Sequence, residues 1–133
     1  MYDRATRRLF TSATLFNWTA TVLLLAAASR PDLSRLMGLG PVSGSNSLFF
    51  QISAAAVALF GWAYWQVSRD PVRNRPLIAL GIVGKLATVA LIWGHYLAGT
   101  IGWQLPALVI GDLIYATLFW RWLSRNDPVQ FDQ

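Results

Sequence analysis

The chain has 133 residues, 55 % of them hydrophobic and only 13 % charged. With its positive mean hydropathy, that balance excludes an ordinary soluble enzyme and places it in the membrane class. Cysteine is absent and so is glutamate, which removes disulfides, thiol redox chemistry and thiolate metal sites; one histidine and six acidic residues do not assemble a zinc or di-iron site unaided. The net charge of +5 comes from arginines that flank apolar runs. They form no patch on a folded domain, so nucleic acid is not an expected partner and anionic lipid head groups are.

The first apolar run, residues 9–28, follows Arg4, Arg7 and Arg8 and ends in Ala26-Ala27-Ala28-Ser29. Small residues at that end mimic a secretory cleavage site. The run is longer than a signal core, however, and carries Asn17 and several threonines, so it is read as a retained spanning helix. The connection that follows divides in two. Ser29 as a cap and Pro31 in the first turn predict a short helix with Leu33, Leu36 and Met37 on one side and Asp32 and Arg35 on another, stopped by Gly38. Such a helix lies on the outer membrane surface. Residues 40–47, rich in Gly and Ser, return the chain as a passive loop, with a lid over an outward pocket as the alternative.

The second run, residues 48–67, offers Ala54, Ala58 and Gly61, small enough for close helix approach. Asp70-Pro71 marks a tight turn, and Arg69, Arg73 and Arg75 are read as head-group anchors. The third run, residues 76–97, places Gly81, Gly84, Lys85, Thr88, Ile92 and His95 on one face by three-four spacing. The fourth, residues 105–123, follows a short loop without charges and aligns Asp112, Tyr115 and Phe119 beside Gly111. Aromatic clusters at Trp62-Tyr64-Trp65 and Phe119-Trp120-Trp122 read as interfacial anchors. Ser68-Arg69-Asp70-Pro71-Val72 is echoed by Ser124-Arg125-Asn126-Asp127-Pro128-Val129, a faint sign of a duplicated two-helix unit.

Eight arginines fall on one side of these spans, and only Arg30 and Arg35 on the other. By the positive-inside rule both termini are cytoplasmic. The expected fold is therefore all-α: one transmembrane domain over residues 1–133, an integral four-helix bundle with both ends inside and a short outer interfacial helix after the first span. The expected location is a bacterial cytoplasmic membrane.

Counting ~1.5 Å per residue from the charged ends puts Asn17, Lys85 and Asp112 in one layer ~14 Å deep. An unpaired charge at that depth costs on the order of 2.5–3.5 kcal/mol, so Lys85 and Asp112 are expected to be partners. Two readings follow. In one, the pair is a clamp that fixes the register of the last two helices. In the other, Lys85, Asp112, Asn17, Thr88 and Tyr115 line a hydrated or ligand-filled site in which Lys85 meets a carboxylate, phosphate or quinone carbonyl, or Asp112 accepts a proton. His95 lies about three turns outward among Trp93, Tyr96 and Trp103, as part of an aromatic belt. It would serve as an outer proton site or a haem ligand only with a second ligand from a partner. No cofactor is expected of the chain alone, and no nucleophile with an adjacent base is legible.

The segments Phe60-Gly61-Trp62-Ala63-Tyr64, Asp70-Pro71-Val72-Arg73-Asn74-Arg75-Pro76-Leu77, Gly81-Ile82-Val83-Gly84-Lys85 and Gly111-Asp112-Leu113-Ile114-Tyr115 resemble a group of small uncharacterised bacterial four-span proteins. That resemblance implies the same topology and no function. The layout is also similar to that of DoxX-like four-helix membrane proteins, without a motif that carries a residue across. Small multidrug transporters differ in a first-helix glutamate that has no counterpart here. The expected role is a non-catalytic accessory or assembly subunit, packed against another membrane protein or a second copy. The alternatives are a carrier or binding protein for a small acidic or lipid-like molecule, or for protons, at the Lys85–Asp112 layer, and a subunit lending His95 or Lys85 to a redox or lipid enzyme.

Overall fold

The computed structural model describes residues 3–127, and these are helical apart from the connections between helices. In chain order the helices are α1 (Arg4–Ser29), α2 (Pro31–Leu36), α3 (Ser45–Arg69), α4 (Arg75–Leu97), α5 (Gln104–Leu108) and α6 (Ile110–Arg125). Asp3 opens α1 by accepting the Ala5 N–H at 2.6 Å, which satisfies one of the orphan donors of the first turn. The helix stops at Arg30, whose extended φ of −129° and ψ of 105° are what a residue before proline prefers. Pro31 then starts α2, and Gly38, at φ 72°, ends it in the left-handed region that only glycine enters at low cost. Ser29 does not cap α2 as its position implies. Its hydroxyl donates back to the Leu25 carbonyl, and Arg30 holds the cap position without a side-chain hydrogen bond.

Pro71 ends α3 in the same way, leaving Asp70 extended. Asn74 closes the turn, its amide donating to the carbonyls of Gln66 and Asp70 at 3.2 and 2.8 Å. Asn126 treats the Trp122 carbonyl of α6 likewise, at 2.8 Å. The second half of the sequence echo, Pro128-Val129, lies outside the described residues.

Helix α1 packs along α3, α4 pairs with α6, and α3 meets α4. The buried centre sits at the end of the bundle that carries both chain ends, where Phe10, Tyr64, Val67, Ile78 and Phe119 are fully buried. Phe10 stacks on Phe119 at 5.0 Å and Tyr64 meets the same ring edge-on at 5.1 Å, both favourable aromatic geometries. This corrects the anchor reading for two aromatics. Tyr64 and Phe119 are core residues, while their neighbours Trp62, Trp65 and Trp120 are exposed.

Four helical segments, counting 104–125 as one, are long and apolar enough to cross a membrane, and only 17–22 % of each apolar window is buried inside the bundle. The remaining apolar faces point outward, an arrangement suited to lipid and not to water. The first, second and fourth spans run past the expected limits by up to five residues, and the third matches its expected span to within one residue. The fourth departs further: Val109, at φ −81° and ψ 0°, interrupts it. Asp112 therefore stands in the first turn of α6 and not in the middle of one long helix.

A polar layer beneath an apolar cavity

Lys85 lies nearly three turns into α4 and is only 5 % exposed. Its ammonium reaches Asp112 Oδ1 at 2.5 Å and Asn17 Oδ1 at 3.1 Å. Asn17 in turn donates its amide to the Val57 carbonyl of α3 at 3.2 Å. One network thus joins four helices: α3 through a carbonyl, α1 through Asn17, α4 through Lys85 and α6 through Asp112.

Local sequence explains why each group arrives. Gly61 lets α1 and α3 close up, since a Cβ there would stand 2.5 Å from Trp18 and 3.3 Å from the Asn17 side chain. Trp18 uses the same approach to donate to the Ala58 carbonyl at 3.3 Å. On the other side, Gly111 receives the Phe16 ring. The first-turn position of Asp112 puts its carboxylate where a helix has unpaired N–H groups and a positive partial charge, a second source of stabilisation beside Lys85.

Aromatic rings enclose the ammonium. Phe16 and Tyr64 have their ring centroids 5.3 Å from Nζ and Tyr115 has its own at 5.7 Å, all within cation–π range. The Tyr115 hydroxyl is occupied with Ser12 at 3.0 Å. That of Tyr64 is buried and has no hydrogen-bond partner among the described residues, which for a fully buried hydroxyl is an exception needing a reason.

The layer forms the floor of a cavity of about 520 Å³, within the size range of small-molecule sites. Its walls are Ala20, Leu23 and Leu24 of α1, Thr88 and Ile92 of α4, and Leu105 and Leu108 of α5, with Met37 beyond α2 at the far end. The gap has a physical origin. Side-chain contacts from α1 to α6 fall on the half near the termini: Trp122 to Thr6, Phe119 to Phe10, Tyr115 to Ser12 and Phe16. Past the break at Val109 the wall is α5, and α1 shows Leu15, Thr19 and Leu23 as exposed residues that still line the space. The cavity is therefore reached from the side, between helices.

The other residues singled out by sequence are placed elsewhere. Thr88 lines the cavity, with its hydroxyl donating to the Gly84 carbonyl at 2.9 Å. His95 does not line it. Its Nδ1 lies 2.8 Å from the Thr100 hydroxyl at the exposed end of α4. Arg69 covers the Trp65 ring at 5.0 Å, and the backbone N–H of Arg73 donates to Asp70. Arg75 is turned inward: its guanidinium donates to the Asn126 and Leu123 carbonyls and lies over Trp122. It thus closes the C-terminal end of α6. Among the described residues, no group of three or more His, Cys, Asp or Glu gathers as a metal site would require.

Sequence reasoning placed Tyr115 at the site but missed the Phe16 and Tyr64 rings beside Lys85 and the break in the fourth span. Phe16 falls one residue before Asn17 and gave no polar signal, and Val109 is neither glycine nor proline. No family model matches the chain, and no curated protein or solved structure matches it either. What the fold and site define is a class: an all-helical protein with four helices of membrane-spanning length, a buried ion pair at the centre of a hydrogen-bond network that joins all four, and an apolar cavity above it.

Proposed function

We propose that the chain is a membrane-embedded binding or carrier protein for a small lipid-like molecule. It sits in a bacterial cytoplasmic membrane with both termini inside, and the molecule's polar head rests on the Lys85–Asp112–Asn17 layer. The observation that carries this reading is the cavity of about 520 Å³ with apolar walls and a polar floor. A clamp that served register alone needs no such space beside it. The opening between α1 and α5 supports entry from the lipid phase.

A protein of this kind can also be a subunit, as the absence of a self-sufficient catalytic set leads one to expect. One experiment addresses both. The full chain, extracted from its native membrane in lipid nanodiscs, is examined by native mass spectrometry beside Thr88→Trp, which fills the cavity from α4. A reproducible small-molecule adduct on the wild type, absent from the Trp variant, supports the reading. Equal adducts on both, or none on either, refutes it. A stoichiometric second protein identifies the assembly.

A further inference from the structure

The hydrogen-bond inventory of the cavity floor states what a bound head must offer. The charged side chains lining the cavity, among the described residues, are Lys85 and Asp112, so the floor has no net charge. An ammonium carries three donor hydrogens, and two acceptors are recorded for it, Asn17 Oδ1 and Asp112 Oδ1. One donor is left over. Asp112 engages through Oδ1, and no hydrogen bond from the described residues reaches its second oxygen. Tyr64, another lining residue, has a buried hydroxyl without a partner among the described residues.

We infer that the ligand's head is an uncharged hydroxyl, that of an alkyl alcohol or a phenol, bridging Lys85 and Asp112 with both hydrogen-bond roles at once. This rests on the reading of the cavity as a binding site and goes beyond it by naming the head. A hydroxyl accepts from the third ammonium hydrogen and donates to the second carboxylate oxygen, leaving the ion pair intact. A carboxylate only accepts, and it brings a second negative charge beside Asp112. An ammonium only donates, and it is repelled by Lys85. Either ion unbalances a neutral floor in a medium that screens charge poorly.

The tail follows from the walls. From the level of Asn17 to Leu24 along α1, and from Lys85 to Ile92 along α4, the lining rises ~10 Å. Met37 then closes the far end, so the tail is apolar and about that long before it must bend or leave through the side.

The test uses three probes with one chain: dodecanol, dodecanoate and dodecylammonium, each bearing the same mid-chain diazirine. They are added at equal mole fraction to nanodiscs holding the full chain, at about pH 9, where acid and amine are both largely ionised. After irradiation, cross-links to the cavity walls on α1 and α4 are quantified by peptide mass spectrometry. The alcohol is expected to label these walls at least about tenfold more than either ion, in keeping with the cost of a lone charge at this depth. Asp112→Asn should move the preference to the carboxylate and Lys85→Met to the ammonium. If carboxylate or ammonium labels the wild-type walls as strongly as the alcohol, the inference about the head falls while the cavity remains a binding site. If no probe labels the walls above the outer helix faces, both fall. The wild-type ranking decides even where a variant does not fold.

Discussion

Removing one member of the Lys85–Asp112 pair is expected to cost more than removing both. Lys85 is 5 % exposed and Asp112 20 % exposed on their side chains, so neither is well solvated when left alone. Lys85→Met strands the Asp112 carboxylate beside apolar walls and leaves the Asn17 carbonyl without its donor. Breaking a buried pair from one side typically costs ~3–5 kcal/mol. The partial exposure of Asp112 and its first-turn position on α6 argue for the lower end, about 3 kcal/mol. Asp112→Asn leaves the more deeply buried charge, held only by Asn17 and three rings, so its cost lies toward the upper end, about 4 kcal/mol. In the double variant no charge is stranded. What is lost is a neutral network worth ~1–2 kcal/mol, because an ion pair taken out of water returns little over an apolar pair of the same shape. The double variant should thus be more stable than either single one, with a coupling of about 5 kcal/mol or more relative to additivity. Reversible unfolding in bicelles of the wild type, both single variants and the double variant measures this directly. Costs that add to within about 0.5 kcal/mol would refute the pairing.

Three further expectations follow from the same contacts. Gly81→Ala places a Cβ 2.6 Å from the fully buried Tyr64 ring and should cost ~1–3 kcal/mol by overpacking; Gly94→Ala, with open space around it, should cost far less, and equal unfolding midpoints would contradict the packing. Arg75→Ala uncovers the Asn126 and Leu123 carbonyls and the Trp122 ring, so the end of α6 should exchange its amide hydrogens faster, with a stability loss of ~1–2 kcal/mol; unchanged exchange there would contradict the capping role. Arg30, 3.0 Å from Asp32, holds the Asp32 carboxyl below its ordinary range through a hydrogen bond, with help from the Leu33 amide. Because the folded value lies below the unfolded one, this contact is present at neutral pH and is lost as pH falls through the folded value; a carbon NMR titration of Asp32 should move up toward the ordinary range in Arg30→Gln, and no movement would contradict the pairing.

The bundle was legible in the sequence because its signals are long and redundant: four apolar runs, arginines at their ends, and Pro31 and Pro71 at the turns. The floor of the site was legible for a sharper reason. Lys85, Asp112 and Asn17 stand out in apolar runs, and the fixed rise of a helix converts their distance from the charged ends into depth. The cavity was not legible, because space is a property of how helices diverge. It depends on the break at Val109 and on which aromatics turn inward, and Phe16 and Tyr64 carry no mark that separates them from the exposed Trp62 or Trp18. Arg75 shows the same limit. An arginine at a span end reads as a head-group anchor, and only the position of α6 shows that its donors meet helix carbonyls.

The most direct test of a lipid-like ligand on a polar floor is a high-resolution density map of the full chain in nanodiscs made with its native lipids. The account predicts elongated density between α1, α4 and α5, with one end in hydrogen-bond reach of Lys85 Nζ and Asp112 and the other beneath Met37. Helices α1 and α5 closed against each other, with no density above the ion pair, would contradict it.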